Sequence, residues 1–75
     1  MADRTPNATL TAHLAALAPM IRQAELERLL YLSPRYLTRC KNGHIATPGT
    51  ISVIIELLAS APARQIELLR RIAGR

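Results

Sequence analysis

Proline is the residue that most constrains how this chain can fold. Five prolines stand at positions 6, 19, 34, 48 and 62. Proline lacks an amide N–H and its ring clashes with the preceding helical turn, so it is tolerated in the first turn of a helix but not in the interior. A chain of 75 residues punctuated in this way predicts a single domain of short elements, with residues 1–5 frayed.

Apolar side chains between the prolines recur with helical spacing. Leu10 and Leu14, for example, share one helix face with the next leucine at i+7. Thr5, Ser33 and Thr47 each precede a proline, and this cap-then-proline pair is typical of a helix start. The predicted helices are 6–18, 23–30, 34–42, 48–59 and 62–75.

The composition favours helices packed on helices. The chain has neither Phe nor Trp, and 49% of its residues are apolar, so Leu, Ile, Val and Ala must build the core. The sequence shows no strand-like alternation of apolar and polar residues. We therefore expect an all-α fold, a compact bundle of five helices with mostly orthogonal contacts.

The last two helices are unusually rich in apolar residues. In the fourth helix, Val53 and Leu57 form a second apolar stripe beside the one that contains Ile51 and Ile55. A helix that is apolar on most sides is either central in its domain or shared with a partner. Both interpretations stay open, and we favour a homodimer formed by these helices. Its predicted contact residues are Val53, Leu57, Ile66, Leu69 and Ile72.

Arginine supplies nine of the ten cations behind the net charge of +5. Arginine suits bidentate recognition of phosphate and guanine edges, although a basic balance also suits anionic membranes or solubility alone. The single cysteine, Cys40, is expected to be a small buried apolar residue. No membrane-spanning run or signal-peptide core is found, which predicts a cytoplasmic protein.

Catalytic and metal-ligating residues are too scattered to form a site. His13 and His44 are far apart in the sequence, and Cys40 has no second thiol. The sequence therefore predicts no enzyme, no cofactor, no metal and no small-molecule ligand. Four carboxylates are expected to lie singly on the surface: Glu25, Glu27, Glu56 and Glu67.

The most informative unit is the pair of short helices within residues 23–42. Only residues 31–33 separate them, and so short a turn makes two helices cross at about 90–120°. Leu37 and Cys40 of the second helix are expected to face inward. Its outer face then carries side chains of the kinds that pair with base edges and phosphates: Arg35, Tyr36, Thr38, Arg39 and Asn42.

The stretch from Gln23 to Gly43, QAELERLLYLSPRYLTRCKNG, resembles the helix-turn-helix of the lambda-repressor-like (Cro-type) family. That family commonly shows a Gln, apolar residues, a turn that ends in Ser or Thr, and a recognition helix that closes in Asn-Gly. The following Thr47-Pro48 and the apolar helix 51–59 also match its layout. The resemblance covers roughly residues 8–60 and implies a DNA-binding domain whose third helix reads the major groove.

The resemblance also implies roles for single residues. Arg35 and Arg39 occupy the outward positions that read bases, and Thr38 between them is placed to contact a thymine methyl. Ser33 would cap the recognition helix. Tyr36 either contacts DNA or covers the edge of the helix. The residues expected to contact the DNA backbone are Gln23, Ser33, Tyr36, Lys41, Asn42 and His44.

Two residues depart from the family's pattern. The fifth position of the motif, where the two helices touch, is usually Ala and is Glu27 here. The ninth position is usually Gly because the turn needs a positive φ, and it is Tyr31 here. A left-handed non-glycine residue costs about 1–2 kcal/mol. Either the turn differs locally, or the tyrosine ring recovers that free energy by packing.

These expectations describe a sequence-specific transcriptional regulator, a homodimeric repressor or autoregulator on double-stranded DNA. Two recognition helices would enter successive major grooves about 34 Å apart, so the operator should be an inverted repeat. The expected location is the cytoplasm, at the nucleoid. The alternative is an antitoxin-type or adaptor protein whose main partner is another protein.

Overall fold

The computed structural model describes residues 5–74, which fold into five α-helices without a strand. The all-α prediction is thereby confirmed, and so is the number of helices. Residues 1–4, where most of the predicted frayed start falls, lie outside the described part of the chain. The helices are α1 (Ala8–Leu17), α2 (Gln23–Leu29), α3 (Tyr36–Lys41), α4 (Gly49–Ser60) and α5 (Pro62–Ala73).

A single core of leucine and isoleucine side chains lies between the helices. The Cα radius of gyration is 12.1 Å, close to the roughly 11 Å expected for a compact chain of this length. Helix α1 packs most extensively against α4. Cys40 is buried, as predicted. The buried apolar residues are Leu10, Leu14, Leu17, Ile21, Leu26, Leu37, Cys40, Ile51, Ile55, Leu58 and Ile66.

The apolar faces of α4 and α5 divide between this core and the surface. Ile66 is fully buried in the core of its own chain, so it is withdrawn from the predicted dimer contact. Leu69 is half-buried and packs against the same core. Val53, Leu57 and Ile72 are exposed, as a residue in contact with a partner must be before association.

Helix α1 begins two residues later than the Thr5-Pro6 pair predicts. The side chain of Asn7 caps it, because Asn7 Oδ1 accepts a hydrogen bond from the Leu10 N–H at 3.0 Å. The Asn7 N–H donates to the Lys41 carbonyl at 2.8 Å, and Asn7 Nδ2 donates to Thr47 Oγ1 at 3.0 Å. One asparagine thus fixes the start of α1 against the end of α3 and the segment before α4.

Thr47 does not cap α4 as its position before Pro48 predicts. Its hydroxyl accepts the hydrogen bond from Asn7, and no side chain caps the first turn of α4. Pro48 occupies the cap position, so the helix begins at Gly49. The predicted start of α5 is confirmed, because Pro62 lies in its first turn.

An ion pair fastens α5 to α2. Arg70 donates from Nε to Glu25 Oε2 at 3.0 Å and from Nη2 to Glu25 Oε1 at 3.1 Å. Arg70 Nη2 also donates to the Met20 carbonyl at 3.2 Å. Glu25 is therefore not the isolated surface carboxylate that the sequence predicts. Its partner lies 45 positions away in the chain, which no local pattern reveals.

None of the helices within residues 5–74 combines the length and the hydrophobicity that crossing a bilayer requires.

The Glu25–Arg70 pair predicts a pH-dependent stability. The hydrogen bonds from Arg70 lower the pKa of Glu25 in the folded chain, against a smaller opposing effect of burial. A carboxyl whose pKa is lower in the folded than in the unfolded chain stabilises the fold above its unfolded pKa of about 4.3. That contribution is lost as the pH falls through the lower, folded pKa.

We expect the thermal midpoint of the wild type to exceed that of Glu25→Gln at pH 7, and the difference to vanish in acid. Circular dichroism from pH 7 to about pH 2 measures both midpoints. Glu67→Gln is the matched control. Glu67 pairs with Arg71 on the exposed face of α5, so its loss breaks no contact between helices. A difference that stays constant across this range would contradict the assignment.

Candidate nucleic-acid interface

Helix α2 ends in a Schellman motif at the start of the turn. The Leu32 N–H donates to the Glu27 carbonyl at 2.8 Å, and the Tyr31 N–H donates to the Arg28 carbonyl at 3.2 Å. This pairing requires a left-handed residue between the helix and Leu32. Tyr31 takes that conformation with φ 60°, so the turn keeps the geometry that the resemblance implies.

The tyrosine ring does not offset the strain of this conformation by packing. Tyr31 is 86% exposed. The backbone strain of about 1–2 kcal/mol is therefore balanced by the hydrogen bonds of the turn. Of the two alternatives that the sequence leaves open, neither applies, because the turn is regular and the ring is solvated.

The carboxylate of Glu27 caps the start of α3. Its Oε2 accepts from the Leu37 N–H at 2.8 Å, and its Oε1 accepts from the Arg35 N–H at 3.2 Å. Glu27 is only 4% exposed, so the prediction of a surface carboxylate is wrong here. A helix N-terminus has unpaired N–H groups, and burying a polar side chain is tolerated when such donors satisfy its oxygens.

Ser33 and Pro34 do not begin α3 as their sequence predicts. Arg35 adopts a left-handed conformation with φ 64°, which no α-helix can continue, so α3 begins at Tyr36. Residues 33–36 form a turn in which the Tyr36 N–H donates to the Ser33 carbonyl at 3.1 Å. The capping role predicted for Ser33 therefore belongs to Glu27.

A second contact holds α2 and α3 together on the outer side. Gln23 Nε2, at the start of α2, donates to Thr38 Oγ1 at 2.6 Å. This hydrogen bond restricts the Thr38 side chain and occupies one acceptor site of its hydroxyl, which can still donate its proton. Gln23 and Thr38 are thus brought together, although the sequence assigns one to the DNA backbone and the other to bases.

The end of α3 follows the sequence signal closely. Gly43 has φ 79°, its N–H donates to the Cys40 carbonyl at 3.2 Å, and the His44 N–H donates to the Arg39 carbonyl at 2.9 Å. These are the two bonds of a Schellman motif. The predicted stop at Asn42-Gly43 is confirmed, and it turns His44 back alongside α3.

The three predicted base-reading residues, Arg35, Thr38 and Arg39, line one groove on the outer side of α3. Leu37 and Cys40 are buried on the inner face. Arg39 is exposed, and its Nη2 donates to Ser33 Oγ at 3.3 Å. This outer face forms an open groove, whose lining residues are Pro34, Arg35, Thr38, Arg39, Asn42 and His44.

Tyr36 lies at the edge of this face rather than in the groove. It is half-buried and packs against the core beside Cys40. Burial raises the pKa of the Tyr36 phenol, and the neighbouring Cys40 raises it further. The phenol therefore stays protonated at neutral pH and remains a hydrogen-bond donor.

Gln23 and Lys41 line a separate cleft between α1, α2 and the end of α3. The lining of this cleft is mostly apolar and includes Leu14, Leu17 and Leu26. It also includes the cations Arg22 and Lys41. Arg22 is not among the residues predicted from the sequence, although a cation directly before Gln23 could have been predicted to contact phosphate as well. Gln23 links this cleft to the outer groove, because it lines the cleft and donates to Thr38, which lines the groove.

Glu27→Ala tests the capping of α3. The substitution leaves the N–H groups of Arg35 and Leu37 without their acceptor. We expect a loss of about 1.5–3 kcal/mol in the free energy of unfolding, measured by urea denaturation. Glu67→Ala, on an exposed helix face, should change it by less than about 0.5 kcal/mol. Equal losses in the two variants would show that Glu27 does not hold the turn.

Tyr31→Gly tests the strain in the turn. Glycine adopts positive φ freely, and the exposed ring contributes little packing, so we expect a gain of up to about 1 kcal/mol after the extra chain entropy of glycine is subtracted. Urea denaturation measures it. Gly43→Ala, the reverse change at another left-handed residue, should destabilise the protein. A clear loss of stability in Tyr31→Gly would assign the ring a structural contact.

The chain was compared with protein families, curated proteins and solved structures, and no family model, no curated protein and no solved structure matches it.

Proposed function

We propose that this protein is a sequence-specific DNA-binding transcriptional regulator with a lambda-repressor-like (Cro-type) helix-turn-helix. The observation that carries the proposal is the outer face of α3. There Arg35, Thr38 and Arg39 line one open groove, while the opposite side of the helix is buried. A polar helix face held rigidly on a short crossing unit is what major-groove reading requires.

The two arginines are the proposed base readers. A guanidinium can donate two parallel hydrogen bonds to O6 and N7 of guanine, the commonest specific contact in the major groove. Arg39 already rests on Ser33 at 3.3 Å, so its side chain lies along the groove before DNA arrives. Gln23 orients Thr38 by donating to its hydroxyl oxygen, and we assign the Thr38 methyl group to contact with a thymine methyl.

The flanking polar residues are the proposed contacts to phosphates. Gln23 is hydrogen-bonded to Thr38 of the reading face, and Arg22 directly precedes it. Lys41 is the last residue of α3, and Asn42 with His44 follow it at the edge of the groove. Contacts of this kind set register and add salt-dependent affinity without sequence information. Ser33 and Tyr36 stand at the start and edge of α3, within the same proposed footprint.

In this proposal the protein represses by occupying its operator as a homodimer. One α3 covers only a few base pairs, and a symmetric pair would read an inverted repeat with half-sites about 34 Å apart. The location that follows is the cytoplasm, at the nucleoid. The alternative, an antitoxin-type or adaptor protein, is supported by the apolar residues left exposed on α4 and α5.

Selection from a randomised duplex pool, followed by fluorescence polarisation on the enriched sequence, tests DNA reading directly. We expect an inverted repeat and an affinity that falls steeply with salt. Arg39→Ala should weaken binding by about 1–3 kcal/mol and relax the preference at one position of each half-site.

Arg71→Ala is the matched control for Arg39→Ala. It removes the same charge from an exposed position on α5, where Arg71 pairs with Glu67 of the same helix. Its effect on affinity should stay within about threefold, because it removes only a distant screened charge. Failure to enrich any sequence, or equal affinity of Arg39→Ala and wild type for the selected site, would refute the proposed reading face.

A further inference from the structure

The cleft between α1, α2 and the end of α3 is large enough to hold a small organic molecule. Its volume is about 260 Å³, whereas an apolar cavity of about 150 Å³ is enough to bind benzene. In proportion, the cleft has room for about ten non-hydrogen atoms. Four of its lining residues are at most 9% exposed, so its inner part is apolar: Leu14, Leu17, Ile21 and Leu26.

Two cations on the lining of this cleft pair with no carboxylate of residues 5–74. Arg22 is exposed and Lys41 is half-buried, and neither forms an ion pair within that segment. Glu25, whose charge attracts Arg22, is held by Arg70 in a bidentate pair. An anion in the cleft would therefore supply ion pairs that the described chain does not.

Volume and charge together define the class of ligand. A small inorganic anion would leave the apolar walls uncovered, and a neutral hydrocarbon would not pair with the cations. A phosphate group would take about half of the ten atoms that the cleft can hold, which leaves too few to cover the walls. A carboxylate takes three, and its two oxygens match the fork of an arginine.

We propose that this cleft binds a carboxylate with an apolar body of about seven carbon atoms, with the body among the buried leucines and the charge beside Arg22 and Lys41. The proposal departs from the sequence-based prediction of no small-molecule ligand. That prediction rested on local patterns, and the lining of the cleft comes from α1, α2, the turn between them and the end of α3.

Octanoate is the probe, and NMR amide shifts of the full ¹⁵N-labelled chain without DNA measure its binding. We expect a dissociation constant on the order of 0.1–1 mM, with shifts centred on Ala15, Ala18 and Arg22. 1-Octanol has a similar apolar body without the charge, and acetate has the charge without the body. Each should bind at least about fivefold more weakly than octanoate, because it satisfies only one part of the site.

Two pairs of variants test the apolar walls and the charge separately. Ala15→Leu narrows the cleft and should raise the octanoate dissociation constant by about fivefold or more. Ala16→Leu is its matched control, because Ala16 is the next exposed residue of α1 and does not line the cleft. Arg22→Gln should raise the constant by about threefold or more, whereas Arg64→Gln, which removes the same charge from α5, should leave it unchanged.

Occupation of the cleft should also weaken DNA binding, a step that rests on the proposed function. Arg22, Gln23 and Lys41 are the proposed phosphate contacts, and a bound carboxylate would compete for the two cations. Saturating octanoate should raise the dissociation constant of the selected duplex by about threefold or more, relative to sodium acetate at equal ionic strength. Ala15→Leu should show no such difference. Fluorescence polarisation measures both.

Three results would overturn the site. They are no saturable shift at the cleft, shifts centred instead on the exposed apolar residues of α4 and α5, and equal effects of Ala15→Leu and Ala16→Leu. Octanoate binding without an effect on the duplex would overturn the competition with DNA. Failure to select any duplex would refute the proposed function and that competition with it, while binding at the cleft would stand.

Discussion

The structure depends most on one carboxylate, that of Glu27. Its backbone carbonyl accepts the hydrogen bond that ends α2, and its side chain accepts the two that begin α3. Both sides of the turn are therefore tied to one residue, and the crossing of the two helices follows from it. An alanine at this position would allow the helices to touch but would supply no acceptor. In this chain the buried side chain of Glu27 lies at the contact and also caps α3.

The same carboxylate explains why the turn tolerates two left-handed residues that are not glycine. Tyr31 and Arg35 have φ near 60°, each at a cost of about 1–2 kcal/mol. In this conformation of the turn the N–H of Arg35 donates to Glu27 at 3.2 Å, beside the stronger bond from the Leu37 N–H at 2.8 Å. A consequence reaches the proposed reading face. Arg35 projects from the turn before α3, so it does not stand one helical turn below Arg39 as the sequence spacing predicts.

Much of the fold follows from local sequence patterns, because helices depend on neighbours in the chain. The prolines and the leucine spacing predict all five helices, and Asn42-Gly43 predicts the end of α3 correctly. The predicted starts of α1 and α3 are two residues too early. The side chains of Asn7 and Glu27 accept the hydrogen bonds that begin these helices. The burial of Glu27 and the pairing of Glu25 with Arg70 depend on contacts between helices. Such contacts leave no trace in spacing or composition.

The ion pair between Glu25 and Arg70 also links the two proposed surfaces. Glu25 lies on α2, the helix that holds α3 in place, and Arg70 lies on α5, one of the two helices assigned to the proposed dimer contact. In a symmetric dimer the distance between the two α3 helices is set by how α5 sits relative to α2 within each copy. An inverted repeat tolerates little error in that distance, because half-sites are spaced by whole helical turns. A bidentate pair, with a third hydrogen bond to the Met20 carbonyl, restricts that relation more than apolar packing alone. In the proposed function the pair therefore has a geometric role besides the modest stability that a partly exposed ion pair contributes.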